Sequence, residues 1–306
     1  GALLDELGRQ RTASPRYASA LGGTSAVLLG GNEAQKSELL PKVGDGSEIL
    51  TLAVDEGPRH APAATALSAE KSGDGFKLSG SKAFVVEGMS ATTFIVAART
   101  SGQPGSTDGI SLFLVPADAA GVSRARLATV DSRGYANVQF DGVEVSGDAL
   151  LGEADQGGAL LDQVLDRARA GLGAEMLGTA AQAFDMTLEY LKTREQFGRV
   201  IGSFQALGHR AAELFTQLEL ARSCAEAALQ AIDADEDDAA QLCSLSKARV
   251  GDFLHLMSNQ LIQIHGGIGM TDEFDAGFYL KRARVLESLY GNQAFHRDRY
   301  ARLLGF

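Results

Sequence analysis

The chain has 306 residues, 45% of them hydrophobic and 22% charged, with a formal net charge of −11. That length allows two or three domains and a sizeable core, and the composition is that of an ordinary globular fold. The charge argues against nucleic acid or anionic lipid as general partners, no apolar run approaches the roughly 18 residues that span a bilayer, and two cysteines, Cys224 and Cys243, are too few for a disulfide framework or a metal cage.

The first ten residues lack the basic start and apolar centre of a secretory leader. The expected location is therefore the cytoplasm, with both thiols free. "ALLDELGRQ" at 2–10 already reads as mid-helix, which predicts more helix ahead of Gly1. Residues 1–46 read as helices throughout. Ser14-Pro15 has the pattern of a cap followed by proline at the first helical position. Asn32 with Gln35 three residues later resembles a capping box.

Residues 47–150 change character. "EILTLAV", "GFKLSGSKAFVV", "TTFIVAART", "ISLFLVPA" and "ANVQFDGVEV" are short β-branched and aromatic runs separated by turn signals such as "SGDG" and "SGQPGSTDG". Strands at this spacing without helices between them predict a small barrel or sandwich.

Residues 151–306 return to helix. Phe204, Leu207, Ala211, Leu214, Leu218, Ala221, Ala225, Ala228 and Ile232 recur in steps of three and four. So do Val250, Phe253, Leu254, Met257, Leu261 and Ile264, and Gly266-Gly267 reads as the stop. "DADEDD" at 233–238 is the solvated link between these two helices. Long helices with short links predict a four-helix bundle. The predicted architecture is therefore α+β and multidomain: N-terminal helices, a middle β-barrel domain and a C-terminal four-helix bundle. His60, His209 and His255 have no metal-ligand spacing, and no metal is expected. Gly171, Gly173 and Gly178 point to close helix packing rather than to room for a bulky ligand.

Four stretches carry a resemblance. "GFKLSGSKAFVVEGMSATTFIVAART", "VQFDGVEVSGDALLG", "YLKTREQFGRVIGSFQALGHRAAEL" and "QIHGGIGMTDEF" occur in the order found in acyl-CoA dehydrogenases, which the chain resembles over nearly its whole length. The resemblance implies an FAD-dependent oxidoreductase of fatty acid or lipid catabolism that acts on an acyl-CoA thioester. It also implies a flavin pocket completed by a neighbouring subunit in a homo- or hetero-oligomer, and electron-transfer flavoprotein as the acceptor of an active member. Arg194, Phe197, Gln205, Gln263, Gly266 and Gly267 fall at the family's FAD-contacting positions, and Asn292 replaces its threonine near the flavin. Chemically, Arg194 suits a pyrophosphate, the glycines let backbone approach a ligand, and the glutamines can donate. Each also has a plainer reading. Arg194 could pair with Glu189 or Glu195, Phe197 could be core, and the glycines could be a helix cap. His296 stands where the family often has a glutamine near the flavin; cofactor contact and structural role are both open.

Two departures stand out. The family's base is usually the glutamate of a Tyr-Glu-Gly-Thr stretch, which reads Leu289-Tyr290-Gly291-Asn292 here. Tyr290, at the glutamate position, is not expected to act as a base. The minority position on the first long helix is Ala168. Asp166 lies about 200° around that helix and Glu175 roughly 10 Å along it, so neither replaces it, and Glu287 and Asp272 read as surface or cap carboxylates. The second departure is "LAVDEGPRHAPAA" at 52–64, where the family has Thr-Glu-Pro and a small polar loop; Val86 likewise replaces a polar strand end. Three readings follow: a base-less subunit that completes a partner's FAD site, an active dehydrogenase with an unrecognised carboxylate, or a flavin oxidase or monooxygenase of the same fold.

Overall fold

The structure, a computed structural model, describes residues 1–15 and 17–306. In chain order the elements are α1 (Ala2–Arg9), a π-helical turn (Tyr17–Gly23), α2 (Thr24–Gly30), α3 (Glu33–Asp45), β1 (Leu50–Ala53), β2 (Ser68–Ser72), β3 (Gly75–Val85) and β4 (Thr93–Arg99). Then follow β5 (Ile110–Pro116), β6 (Val122–Arg126), β7 (Ala136–Val145), β8 (Leu150–Leu151), α4 (Gly157–Thr193), β9 (Glu195–Gln196), β10 (Arg199–Val200), α5 (Gln205–Ala234), α6 (Ala239–His265), α7 (Ala276–Ser288) and α8 (Gln293–Leu303). They form two compact units, one of residues 13–168 and one of 1–12 with 169–306.

The first unit is built on an eight-stranded sheet in the order β6-β7-β3-β2-β4-β5-β8, with β1 parallel to β4. The five strand runs read from the sequence are all present. β2, β6 and the two-residue β8 are additional, and the polar sequences of β2 and β6, "SAEKS" and "VSRAR", lack the apolar run that marks a strand. Phe94, Phe113 and Phe140 are fully buried in the sheet core, and Phe94 and Phe140 meet edge to face at 6.2 Å. Such aromatic pairs add specificity of packing to burial. The predicted capping box starts α3: Asn32 Oδ1 accepts from Gln35 N, and Gln35 Oε1 accepts from Asn32 N. Gln35 then donates to the carbonyls of Asp148 and Leu150, anchoring α3 to the strand exit. Part of the expected Ser14-Pro15 start lies outside the described residues, at Arg16; the helix beyond it opens as the Tyr17–Gly23 π-turn.

The second unit is helical, with α6 packed against α5, α7 and α8. Its apolar stripe is the one the spacing predicts: Val250, Phe253, Leu254, Met257, Leu261 and Ile264 are all buried. Small residues allow helix backbones to meet. A Cβ on Gly178 would sit 1.9 Å from the Asp5 carbonyl oxygen, and one on Gly8 2.1 Å from that of Glu175, so α1 lies directly on α4. Gly173 is likewise closed off by Ser246 Oγ at 2.7 Å. α6 ends at Gly266, whose φ of 63° and ψ of −136° suit glycine alone.

Candidate functional site

Two groups of polar residues in the helical unit match the positions singled out by sequence. The first gathers where α4 and α6 end. Tyr190 stacks on His265 at 4.2 Å and donates to its carbonyl at 3.3 Å, and Ile201 N bonds the Arg194 carbonyl at 2.8 Å. These contacts bring the Arg194, Gln205 and Gly266 segments to the same end of the unit. Arg194 is exposed, and its guanidinium makes no hydrogen bond or ion pair among the described residues; Glu189 pairs with Lys192 instead. Phe197 is 92% exposed at the tip of the β9–β10 hairpin, with φ of 55°, so it is not core. Gln205 and Gln263 are exposed as well. Phe204 precedes α5 without a capping side chain, which leaves the first N–H groups of that helix open to an anion. Nothing lies within 4 Å of where a Cβ would stand on Gly266 or Gly267.

His265 itself is 3% exposed and held between Tyr190 and Phe274. Its Nδ1 bonds the Leu261 carbonyl at 2.7 Å, and burial pushes its pKa down, so the ring is neutral. It packs behind the glycines rather than facing solvent.

The second group is the α7–α8 turn. Tyr290 is 5% exposed with φ of 52°, a left-handed conformation that a bulky residue adopts only when its surroundings hold it. Its carbonyl accepts from His296 Nε2 at 3.0 Å and faces Arg169 Nε at 3.5 Å. His296 is fully buried in that role. From α6, the buried Lys247 Nζ donates to the carbonyls of Leu286, Glu287 and Gly291 at 3.0, 3.2 and 3.0 Å. Burial, then the charge of Arg169, lowers the Lys247 pKa to about 7. Asn292 caps α8, its Oδ1 accepting from Phe295 N at 2.9 Å. Lys247 and His265 are 18 residues apart on α6, about 27 Å at 1.5 Å per residue. Tyr290 and Asn292 are thus far from the glycine pair within one chain.

The carboxylates considered as replacement bases are accounted for individually. Glu175 is buried and takes Arg282 Nη2 at 2.5 Å and Nε at 3.2 Å. Glu287 receives Arg284 and lies 3.1 Å from His255 Nδ1. Asp166 is 6% exposed, Asp272 is exposed, and Ala168 is buried, its carbonyl bonded by Tyr17. Among the described residues, no group of three or more His, Cys, Asp or Glu could hold a metal ion, and no helix is long and apolar enough to cross a membrane.

In the sheet unit, the divergent 52–64 segment is a clamped loop. Asp55 takes His60 Nδ1 and Ala61 N, while Glu56 takes Ala66 N, Leu67 N and the fully buried Lys82 Nζ at 2.7 Å. Val86 is buried, and its carbonyl accepts from Thr51 Oγ1. Phe84 was not legible in sequence. Strand alternation with the buried Lys82 would place it inside, but a register shift between Lys82 and Val85 and a φ of 54° leave it 51% exposed. The buried cations Lys247 and Arg169 were missed too, because a charge in a helix reads as a solvated face.

Comparison with known proteins matches this geometry to one family. Residues 55–143 match the acyl-CoA dehydrogenase middle domain and 155–305 the acyl-CoA dehydrogenase C-terminal domain. The 2-methylacyl-CoA dehydrogenase of Solanum tuberosum is 30% identical over 304 residues, covering 96% of this chain and 72% of that protein. The chain belongs to the acyl-CoA dehydrogenase family. Among solved structures, a variant of the Tcur3481-Tcur3483 steroid ACAD is 32% identical, with a TM-score of 0.88 over 99% of this chain and 79% of that one. The ChsE4-ChsE5 complex from Mycobacterium tuberculosis is 26% identical, with a TM-score of 0.89 and coverage of 99% and 79%.

Members of this family are FAD-dependent flavoproteins. The first group fits such a cofactor: an unspent guanidinium for pyrophosphate, an open helix N-terminus, bare glycine backbone and an exposed aromatic face.

Proposed function

We propose that this chain is a subunit of an FAD-dependent acyl-CoA dehydrogenase that has lost its own base and completes the flavin site of a homologous partner. The resemblance supports the reading, since it aligns Tyr290 with the family's glutamate and Ala168 with its alternative, and the observation that carries it is that Glu175 and Glu287 are committed to Arg282 and Arg284. When bound, FAD would supply the hydride acceptor for the desaturation of an acyl chain, which also requires loss of a proton from the neighbouring carbon. That proton needs an anionic oxygen. A phenol has a pKa of about 10, so roughly one in a thousand is ionised at neutral pH, and moving it to 7 takes about 4 kcal/mol. Tyr290 therefore positions and hydrogen-bonds. Arg194, Phe197, Gln205, Gln263, Gly266 and Gly267 would hold the dinucleotide end of the cofactor. Their distance from Tyr290 along α6 supports a pocket shared between two chains. The names of the two solved relatives, each a pair of different polypeptides, support a hetero-oligomer.

Purified alone, the chain is expected to carry little FAD, or FAD whose absorbance acyl-CoA esters do not bleach. Rapid bleaching by a panel of acyl-CoAs would refute the reading. Tyr290→Glu is the companion variant: with an otherwise intact site it raises reduction by acyl-CoA. Mass spectrometry of the native complex identifies the partner subunit.

A further inference from the structure

The sheet unit holds a cleft apart from the two groups described above. The clamped loop that follows β1 encloses a cleft of about 230 Å³, lined by Val54, Glu56, Arg59, Ala61, Ala64 and Thr65 among others. A water occupies about 30 Å³ of liquid, so the cleft has room for several ligand atoms, yet it is smaller than the 300–1,000 Å³ of a whole drug-sized site. It suits one end of a longer ligand.

Its walls are pre-organised. Pro58 and Pro62 stiffen the loop. Arg99, 8% exposed, holds the floor by donating to the carbonyls of Thr65 at 2.9 Å and Ala63 at 3.1 Å. Lys82 holds the rim through Glu56. The Glu56 carboxylate is thereby spent on Lys82, Ala66 N and Leu67 N, so it presents little unpaired negative charge to the cleft. Arg59 differs from all of these. It is exposed, lines the cleft, and has no hydrogen bond or ion pair among the described residues. A free guanidinium beside an apolar wall is a site for a carboxylate or phosphate carried on an apolar or flexible stem. On a chain of net charge −11, capture of an anion falls to such local cations.

We propose that Arg59 and this cleft form an anion-recognition subsite for the acyl-CoA ligand, taking either a phosphate of the coenzyme or a carboxylate on the acyl group. This rests on the acyl-CoA reading of the preceding subsection.

The test is equilibrium binding to the full chain, with FAD and with its partner subunit if one co-purifies. Coenzyme A is compared with 3′-dephospho-coenzyme A, and succinyl-CoA with butyryl-CoA, for the native chain, Arg59→Gln and Arg59→Lys. Arg59→Gln is expected to weaken at least one anionic probe about tenfold, the scale of a lost charge-assisted hydrogen bond, while Arg59→Lys retains part of the affinity. A loss seen with coenzyme A but not with its dephospho form assigns the phosphate; one seen with succinyl-CoA but not butyryl-CoA assigns the acyl carboxylate. Because Arg59 has no bonding partner among the described residues, the melting temperature of Arg59→Gln stays unchanged. Affinities within twofold of the native chain for all four probes overturn the subsite while leaving the family reading intact. Failure of the native chain to bind any of the four overturns the subsite together with the acyl-CoA ligand it rests on. Loss of FAD from Arg59→Gln also overturns it, since the anion would then belong to the flavin.

Discussion

Replacing Lys247 by methionine isolates the contact that holds the Tyr290 turn. Its ammonium group meets three carbonyls at 3.0–3.2 Å, two of them in the last turn of α7, where no intrahelical donor exists. Stranding three buried acceptors at about 1 kcal/mol each makes Lys247→Met cost about 3 kcal/mol near neutral pH. The cost is pH-dependent, and its sign follows from proton counting. The side chain titrates at about 7 in the folded chain, against an ordinary 10.5. Between those values the unfolded chain keeps a proton that the native chain has released, so native stability rises with pH, at up to about 1.4 kcal/mol per unit. Below pH 7 both states are protonated and the slope disappears. Urea denaturation at pH 6, 7.5 and 9 measures this. The native chain gains about 2–3 kcal/mol from pH 7 to 9 relative to Lys247→Met, so the gap between them widens upward. Parallel pH curves for the two proteins would refute the titration. A cost under about 1 kcal/mol at every pH would refute the role of the three carbonyls.

Glu175→Gln withdraws the carboxylate from buried Arg282 and should cost about 3 kcal/mol, lowering Tm by about 6–12 °C; a shift below 2 °C in a thermal melt would mean the pair is not structural. Arg194→Ala and Asn292→Ala separate cofactor contact from capping. The Arg194 side chain makes no bond among the described residues, so its loss should leave Tm unchanged while weakening FAD retention by the assembled complex about tenfold. Loss of the Asn292 cap should cost about 1 kcal/mol with FAD content unchanged, and FAD loss there would return Asn292 to the cofactor contacts.

The regular elements were legible because the signals that specify them are local. The three-and-four spacing from Val250 to Ile264 places the buried stripe of α6, and Asn32 with Gln35 caps α3 without help from distant residues. The absence of a carboxylate at Tyr290 and Ala168 is also a fact of the residue order. What required the tertiary structure is how each polar group is employed. A charged residue in a helix is ordinarily solvated, yet Lys247, Arg169 and Glu175 are buried, because partners up to a hundred residues and more away supply the bonds that make burial tolerable. Conversely, Phe197 and Phe84 look like core and are exposed, because left-handed backbone at a hairpin tip and at a register shift turns them outward. Residue order sets which side chains exist and which helices and strands they favour. Only the folded chain decides which charges are spent on structure and which, like Arg194 and Arg59, stay exposed without a partner among the described residues.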